Sequence, residues 1–140
     1  PFLGAIMDLA KLDLTDHANN GAVMDVLHPI SGELLKDSDN NNVTITLLGS
    51  DSTQMRNAMS NRAKQQLASK KPNQITTIDE AEQASAELLA SVVVSWSGLE
   101  ENGQPIECTN RNVVATLKKY SWLRLQIDQF VSDRSNFFKA

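Results

Sequence analysis

Three groups of residues have the right types to do chemistry. The run Asp37-Ser38-Asp39-Asn40-Asn41-Asn42 puts oxygen donors at the first, third and fifth positions of a calcium loop, as a hard cation requires. The glycine needed at the sixth position is Asn42, the glutamate needed at the twelfth is Leu48, and a strand pattern follows where a helix should. The run therefore reads as a polar loop. Cys108 with His17 or His28 has the types of a thiol nucleophile and its base, and the same three could ligate zinc. They show no paired ligand spacing, so only the fold could assemble them. The carboxylates Glu80, Glu82 and Glu87 fall on one helical stretch without a convergent apolar pocket and read as a solvated face. The glycines are dispersed at turns and form no phosphate cradle. No catalytic residue, metal ligand set or cofactor is expected, and the chain is not expected to be an enzyme.

Composition narrows the class. The chain has 140 residues, one cysteine and a net charge of −4, with a pI of about 5.1. That length supports a hydrophobic core without disulfide or metal, and a single domain over residues 1–140 is expected. The acidic balance argues against nucleic acid as a partner, because neutralising phosphates takes a surplus of Lys and Arg. A lone Cys108 rules out an intrachain disulfide framework and fits a reducing compartment. No apolar run approaches the roughly 20 residues of a membrane span. Pro1-Phe2-Leu3-Gly4 shows neither the basic stretch nor the cleavage pattern of a leader, so a cytosolic protein with no membrane partner is expected. Aromatics make up only 5% of residues, which leaves the core to aliphatic side chains.

The elements follow from periodicity. Leu3, Ile6, Met7, Ala10 and Leu14 share one helical face, predicting an amphipathic helix over residues 1–16 that packs on the core or docks on a neighbouring subunit. His17-Ala18-Asn19-Asn20-Gly21 reads as a breaker. Residues 22–28 read as a strand, Pro29-Ile30-Ser31-Gly32 as a turn, and Glu33-Leu34-Leu35 as a continuation of the sheet. Val43, Ile45 and Leu47 alternate with Thr44 and Thr46 in the manner of a half-buried strand. Asp51 and Gln54 have the form of a capping box, opening a helix whose buried stripe would be Met55, Ala58, Met59, Ala63 and Leu67. Its basic residues, Arg56, Arg62 and Lys64 with Lys70 and Lys71 near its end, would be solvated or would meet an acidic partner or subunit. Pro72 stops it.

Thr77 and Glu80 form a second capping box. Ala81, Ala84, Leu88, Val92 and Trp96 then keep helical spacing, predicting a helix to about Ser95 with Gly98 as its exit, although Val92-Val93-Val94 is β-branched. Asn102-Gly103 predicts a tight hairpin. Thr109 and Ser121 are candidate caps of two more helices, the first burying Val113, Leu117 and Tyr120, the second Leu123, Ile127, Phe130 and Val131, with Arg124, Asp128 and Asp133 outside. The expected fold is α+β: a small antiparallel sheet of two or three strands plus a short hairpin, packed with four to five helices, and a helical C-terminal half.

A resemblance adds a function. The C-terminal pattern runs Val94-Ser95-Trp96-Ser97-Gly98-Leu99, Glu101-Asn102-Gly103-Gln104-Pro105, Thr109-Asn110-Arg111-Asn112, Leu117-Lys118-Lys119-Tyr120-Ser121-Trp122 and Asp133-Arg134-Ser135-Asn136-Phe137-Phe138. With His28-Pro29, Ser31-Gly32-Glu33 and Gly49-Ser50-Asp51-Ser52 in the front half, it resembles the tail assembly chaperones of long-tailed, siphovirus-type bacteriophages over nearly the whole chain. The resemblance implies a protein of the infected host's cytoplasm that forms a homo-oligomer and coats the tape measure protein. The coat keeps the tape soluble until the tail tube protein displaces it. Leu3, Ile6, Phe137 and Phe138 are the candidate self-association residues, and apolar grooves near Trp96 and Trp122 the candidate client sites, because large aromatics dominate interface energetics. The other reading of Phe137, Phe138 and the two tryptophans is packing in the chain's own core. The alternative is a minor structural component of the tail or baseplate retained in the virion.

Overall fold

The computed structural model describes residues 8–68 and 77–138. Leu3 and Ile6, and the helix stop at Lys70, Lys71 and Pro72, lie outside them. Three strands form an antiparallel sheet in the order β1 (Ala22–Asp25), β2 (Thr44–Leu47), β3 (Val93–Ser97). A separate hairpin joins β4 (Glu100–Glu101) to β5 (Gln104–Pro105). Five α-helices complete the described fold: α1 (Thr15–Asn20), α2 (Thr53–Ala68), α3 (Ile78–Ala90), α4 (Asn110–Lys119) and α5 (Ser121–Ser132). The α+β class, the small sheet with its hairpin and the helical C-terminal half are all as expected.

The alternation in β2 decides which face is covered. Ile45 pairs with Met24 on one side and Trp96 on the other, and these side chains point with Val43 and Leu47 into the core. Leu89, Val113, Leu117, Leu123, Ile127 and Val131 close over them from α3, α4 and α5. On the opposite face Thr44 and Thr46 lie beside Asp25, Val23, Ser95 and Ser97, short side chains that leave the sheet open to solvent. Beyond β1, a Leu27–Leu34 bridge continues the pairing through Glu33-Leu34-Leu35, as read from sequence.

Five local expectations differ from the structure. Residues 8–14 are not part of a continuous helix: Asp8 and Asp13 each accept a hydrogen bond from the amide two residues on, so the chain makes a 3-10 turn at Leu9–Leu12 with both leucines exposed. The expected breaker is itself α1. It docks because Gly49 has no side chain; a Cβ there would lie 2.9 Å from the Ala18 Cβ. The predicted helix to Ser95 ends at Ala90, where Ser91 tightens the last turn, and Val93–Ser97 instead fills the edge of β2, with a bulge opposite Thr46 and Leu47. β-branched Val92-Val93-Val94 beside an open strand edge outweighs helical spacing. The cap of α2 is the buried Ser52, whose Oγ accepts from the Met55 amide at 3.2 Å, and Asp51 is instead held by Arg134. Ser121 makes no cap; Tyr120 is shared between the end of α4 and the start of α5.

The hairpin signal was read correctly: Asn102 and Gly103 both have positive φ, 53° and 81°, as a type I′ turn requires. The hairpin is tied to α4 through Glu101, which accepts from the Tyr120 hydroxyl and from Lys119 Nζ at 3.0 Å. The Tyr120 bond, then Lys119, holds the Glu101 carboxyl below its usual value of 4.5. The same bond raises Tyr120 above its usual 10.0. The stabilisation is therefore complete above pH 4.5 and lost as pH falls through the lowered carboxyl value. On the alkaline side it holds below pH 10.0 and is lost as pH rises through the raised phenol value. Protection of the Glu100–Gln104 amides, taken relative to their intrinsic exchange rates, should fall at both ends of the pH range, and Glu101→Gln should flatten the acid limb.

Candidate functional site

Exposed helix faces, not an enclosed cavity, are the prominent features of the surface. α2 is fixed at its start and runs beside α3, with Ala58, Asn61, Arg62 and Gln65 facing Ala84, Glu87 and Leu88 across a cleft, and its other face is open to solvent. Thr53 and Asn19 exchange two hydrogen bonds, Thr53 N to Asn19 Oδ1 at 2.8 Å and Asn19 Nδ2 to Thr53 Oγ1 at 3.2 Å, while Arg134 grips Asp51 with two guanidinium nitrogens at 2.6 and 3.1 Å. Past Met55, the buried stripe read from sequence is not buried. Met59 is 55% exposed and Leu67 86% exposed, and Ala63 between them is exposed too. These three residues recur every fourth position, so they form one solvent-facing apolar line about 12 Å long. Arg56, Arg62 and Lys64 flank it, and the 16 residues of α2 contain no carboxylate. Among the described residues none of these three cations makes an ion pair, although Arg56 acts electrostatically on Asp13.

A shallow cleft of about 320 Å³ lies between Ser85 on α3 and Ser121, Trp122, Arg124, Leu125 and Asp128 on α5. Half-buried Trp122 and exposed Leu125 supply its apolar wall. Arg124, expected outside, is largely buried: its guanidinium donates to the Leu117 carbonyl at 3.2 Å and lies 3.9 Å from Glu82.

Of the aromatic residues chosen from sequence, only Trp122 faces such a cleft. Trp96 is half-buried and its indole N–H donates to the Ile106 carbonyl at 2.8 Å, tying β3 to the segment after the hairpin. Trp96→Phe should cost about 1–3 kcal/mol in urea unfolding, because it strands that carbonyl while keeping the ring. Phe137 is corrected from a self-association residue to a core residue, 4% exposed and edge-on to Phe130. Phe138 is 42% exposed and rests on the His17 ring.

The chemistry-bearing residues take structural roles. Asp37 Oδ1 accepts from the amides of Asp39 and Asn41, both at 2.9 Å, holding its own loop. His28 Nδ1 accepts from the amides of Ile30 and Ser31 and closes the Pro29 turn. Burial pushes the Cys108 thiol up, while a hydrogen bond with the Trp96 backbone acts the other way. Glu87 accepts from Gln83, and Asp79 pairs with Lys118 at 3.0 Å. No group of three His, Cys, Asp or Glu side chains among the described residues is placed to hold a metal ion, and no helix among them is long and apolar enough to cross a membrane.

The fold is thus a small α+β assembly with a free cationic helix face and an aromatic cleft. A family model for the YdaY prophage protein matches residues 50–140, more than half of the chain, and the chain belongs to that phage-derived family. All of α2 and the Trp122 cleft fall inside the match, whereas β1 and β2 precede it. No curated protein and no solved structure matches the chain.

Proposed function

We propose that this prophage protein is a tail assembly chaperone that multimerises and binds the tape measure protein, keeping it soluble until the tail tube protein displaces it. The observation that carries this reading is the apolar line Met59, Ala63 and Leu67 on α2, exposed and flanked by cations that make no ion pair among the described residues. A long helical tape exposes an apolar stripe that aggregates unless covered, and a helix face of this kind covers an amphipathic helix with acidic flanks. The Trp122 cleft offers a second contact of the same character. Membership of a prophage family supports the phage setting, and with it the host cytoplasm as the place of action.

In this reading the protein works by association and not by catalysis. Its one thiol has a raised pKa, the opposite of what an activated nucleophile needs. The test is co-expression with the tape measure protein of the same phage genome, measuring the tape's soluble fraction and its recovery with this chain. A tape that stays insoluble and unbound would overturn the proposal. Finding the chain at fixed stoichiometry in purified virions would instead assign it to the tail structure.

A further inference from the structure

β1 is an edge of its sheet. Val26 donates to the Val43 carbonyl at 2.9 Å, and the register pairs Asp25 with Thr44 and Val23 with Thr46. Antiparallel pairing uses the main-chain groups of alternate residues, so the N–H and C=O of Val23, Asp25 and Leu27 all point outward from β2. At Leu27 both groups are taken by a single carboxamide. Gln126 Oε1 accepts from the Leu27 amide at 3.0 Å and Gln126 Nε2 donates to the Leu27 carbonyl at 2.7 Å. A side chain of α5 stands where the peptide group of a next strand would stand. Among the described residues the outward groups of Val23 and Asp25 meet no such partner.

Beside this edge runs an open groove of about 420 Å³ between β1 and the second half of α5. Met24, Leu27, Leu34 and Phe130 give it apolar walls, Asp25 and Asp133 stand at its rim, and no Lys, Arg or His lines it. Asp25 Oδ1 accepts from Asn42 at 3.5 Å and Asp133 Oδ1 from Ser135, so each carboxylate keeps its second oxygen for a cation. We propose that this groove takes an extended segment of a partner protein, added as a strand to the outer edge of β1 and carrying a lysine or arginine toward Asp25 and Asp133. The unpaired main-chain groups call for an extended backbone, which supplies matching donors and acceptors. The carboxylates select the sign of the charge. The free edge runs about 7 Å from Val23 to Asp25 and is closed at Leu27 by Gln126, so the added strand pairs through the outward groups of Val23 and Asp25. The surface is separate from α2 and does not depend on the proposed helical client.

The test uses the full chain and a fluorescein-labelled octapeptide of alternating valine and threonine with one central lysine. Two controls accompany it: the same peptide with glutamate for lysine, and the same peptide N-methylated at alternate residues along one edge. The lysine peptide should bind at least about tenfold more tightly than either control, one arm reading charge and the other reading main-chain pairing. Asp25→Asn, with an unchanged urea midpoint, should weaken the lysine peptide at least about threefold and strengthen the glutamate peptide, narrowing the gap between them. Equal binding of the N-methylated peptide would overturn strand addition, and equal binding of the glutamate peptide would overturn the charge assignment. A dimer in sedimentation that dissociates on Val23→Pro would give the edge to a second copy of the chain and overturn the proposal.

Discussion

Phe137→Ala is expected to destabilise the protein by about 3–5 kcal/mol, the range for emptying a buried aromatic site. Phe138→Ala should cost about 1 kcal/mol or less, the scale of one aromatic pair at the surface. Adjacent in sequence, the two rings differ in what they touch. Phe137 is 4% exposed, sits edge-on to Phe130 with centroids 5.6 Å apart, and approaches Gly49 so closely that a Cβ there would be 3.2 Å from its Cδ2. It closes the junction between α1, the start of α2 and the end of α5, where Arg134 also grips Asp51. The neighbouring helices cannot collapse into the space left by the ring without giving up those contacts, so the upper part of the range is expected. For a domain of this size the loss is on the order of 10–15 °C in Tm. Urea unfolding of both variants at equal m values checks it. Were Phe137 a self-association residue, its removal would change sedimentation at high concentration and leave the urea midpoint of the dilute monomer in place.

The burial of Phe137, for which core and partner are both open from sequence, shows where sequence reading stops. Elements marked by local chemistry were legible: the Asn102-Gly103 turn, the Thr109 cap whose Oγ1 accepts from the Asn112 amide, the Thr77 cap on the Glu80 amide, and the alternation of Val43, Ile45 and Leu47. The readings that failed depend on what lies across space. Nothing within Val92-Val93-Val94 says that β2 has an unfilled edge, yet that edge turns a helical spacing into a strand. Nothing near Met59 or Leu67 says that α3 packs on the other side of α2 and that, among the described residues, their own side stays exposed. Asp51 has the spacing of a cap, but its partner Arg134 is 83 residues away. The exposed apolar line was therefore seen as core. Its one warning in sequence was the set Arg56, Arg62 and Lys64 without a single acid, which was noted as a possible acidic contact.

Replacing Met59 and Leu67 together by serine should leave folding intact and lower the soluble fraction of co-expressed tape measure protein at least about tenfold. The two side chains are more than half exposed, so their loss opens no cavity, and the unfolding free energy from urea should fall by about 0.5 kcal/mol or less. Their helix remains anchored at Asn19, Ser52 and Asp51. An amphipathic client would lose its apolar contact and retain only the attraction of Arg56, Arg62 and Lys64, which salt screens over about 8–10 Å. The residual binding of the double variant should consequently fall steeply between low and physiological salt, while wild-type binding, resting on both contributions, should fall less. Charge reversal at Arg62 and Lys64 to glutamate predicts the converse: weaker recovery of the tape at low salt, with a shallower salt dependence. If the serine variant keeps the tape soluble, α2 is not the client face and the Trp122 cleft becomes the surface to test. If its unfolding free energy drops by several kcal/mol, the two residues belong to the core after all.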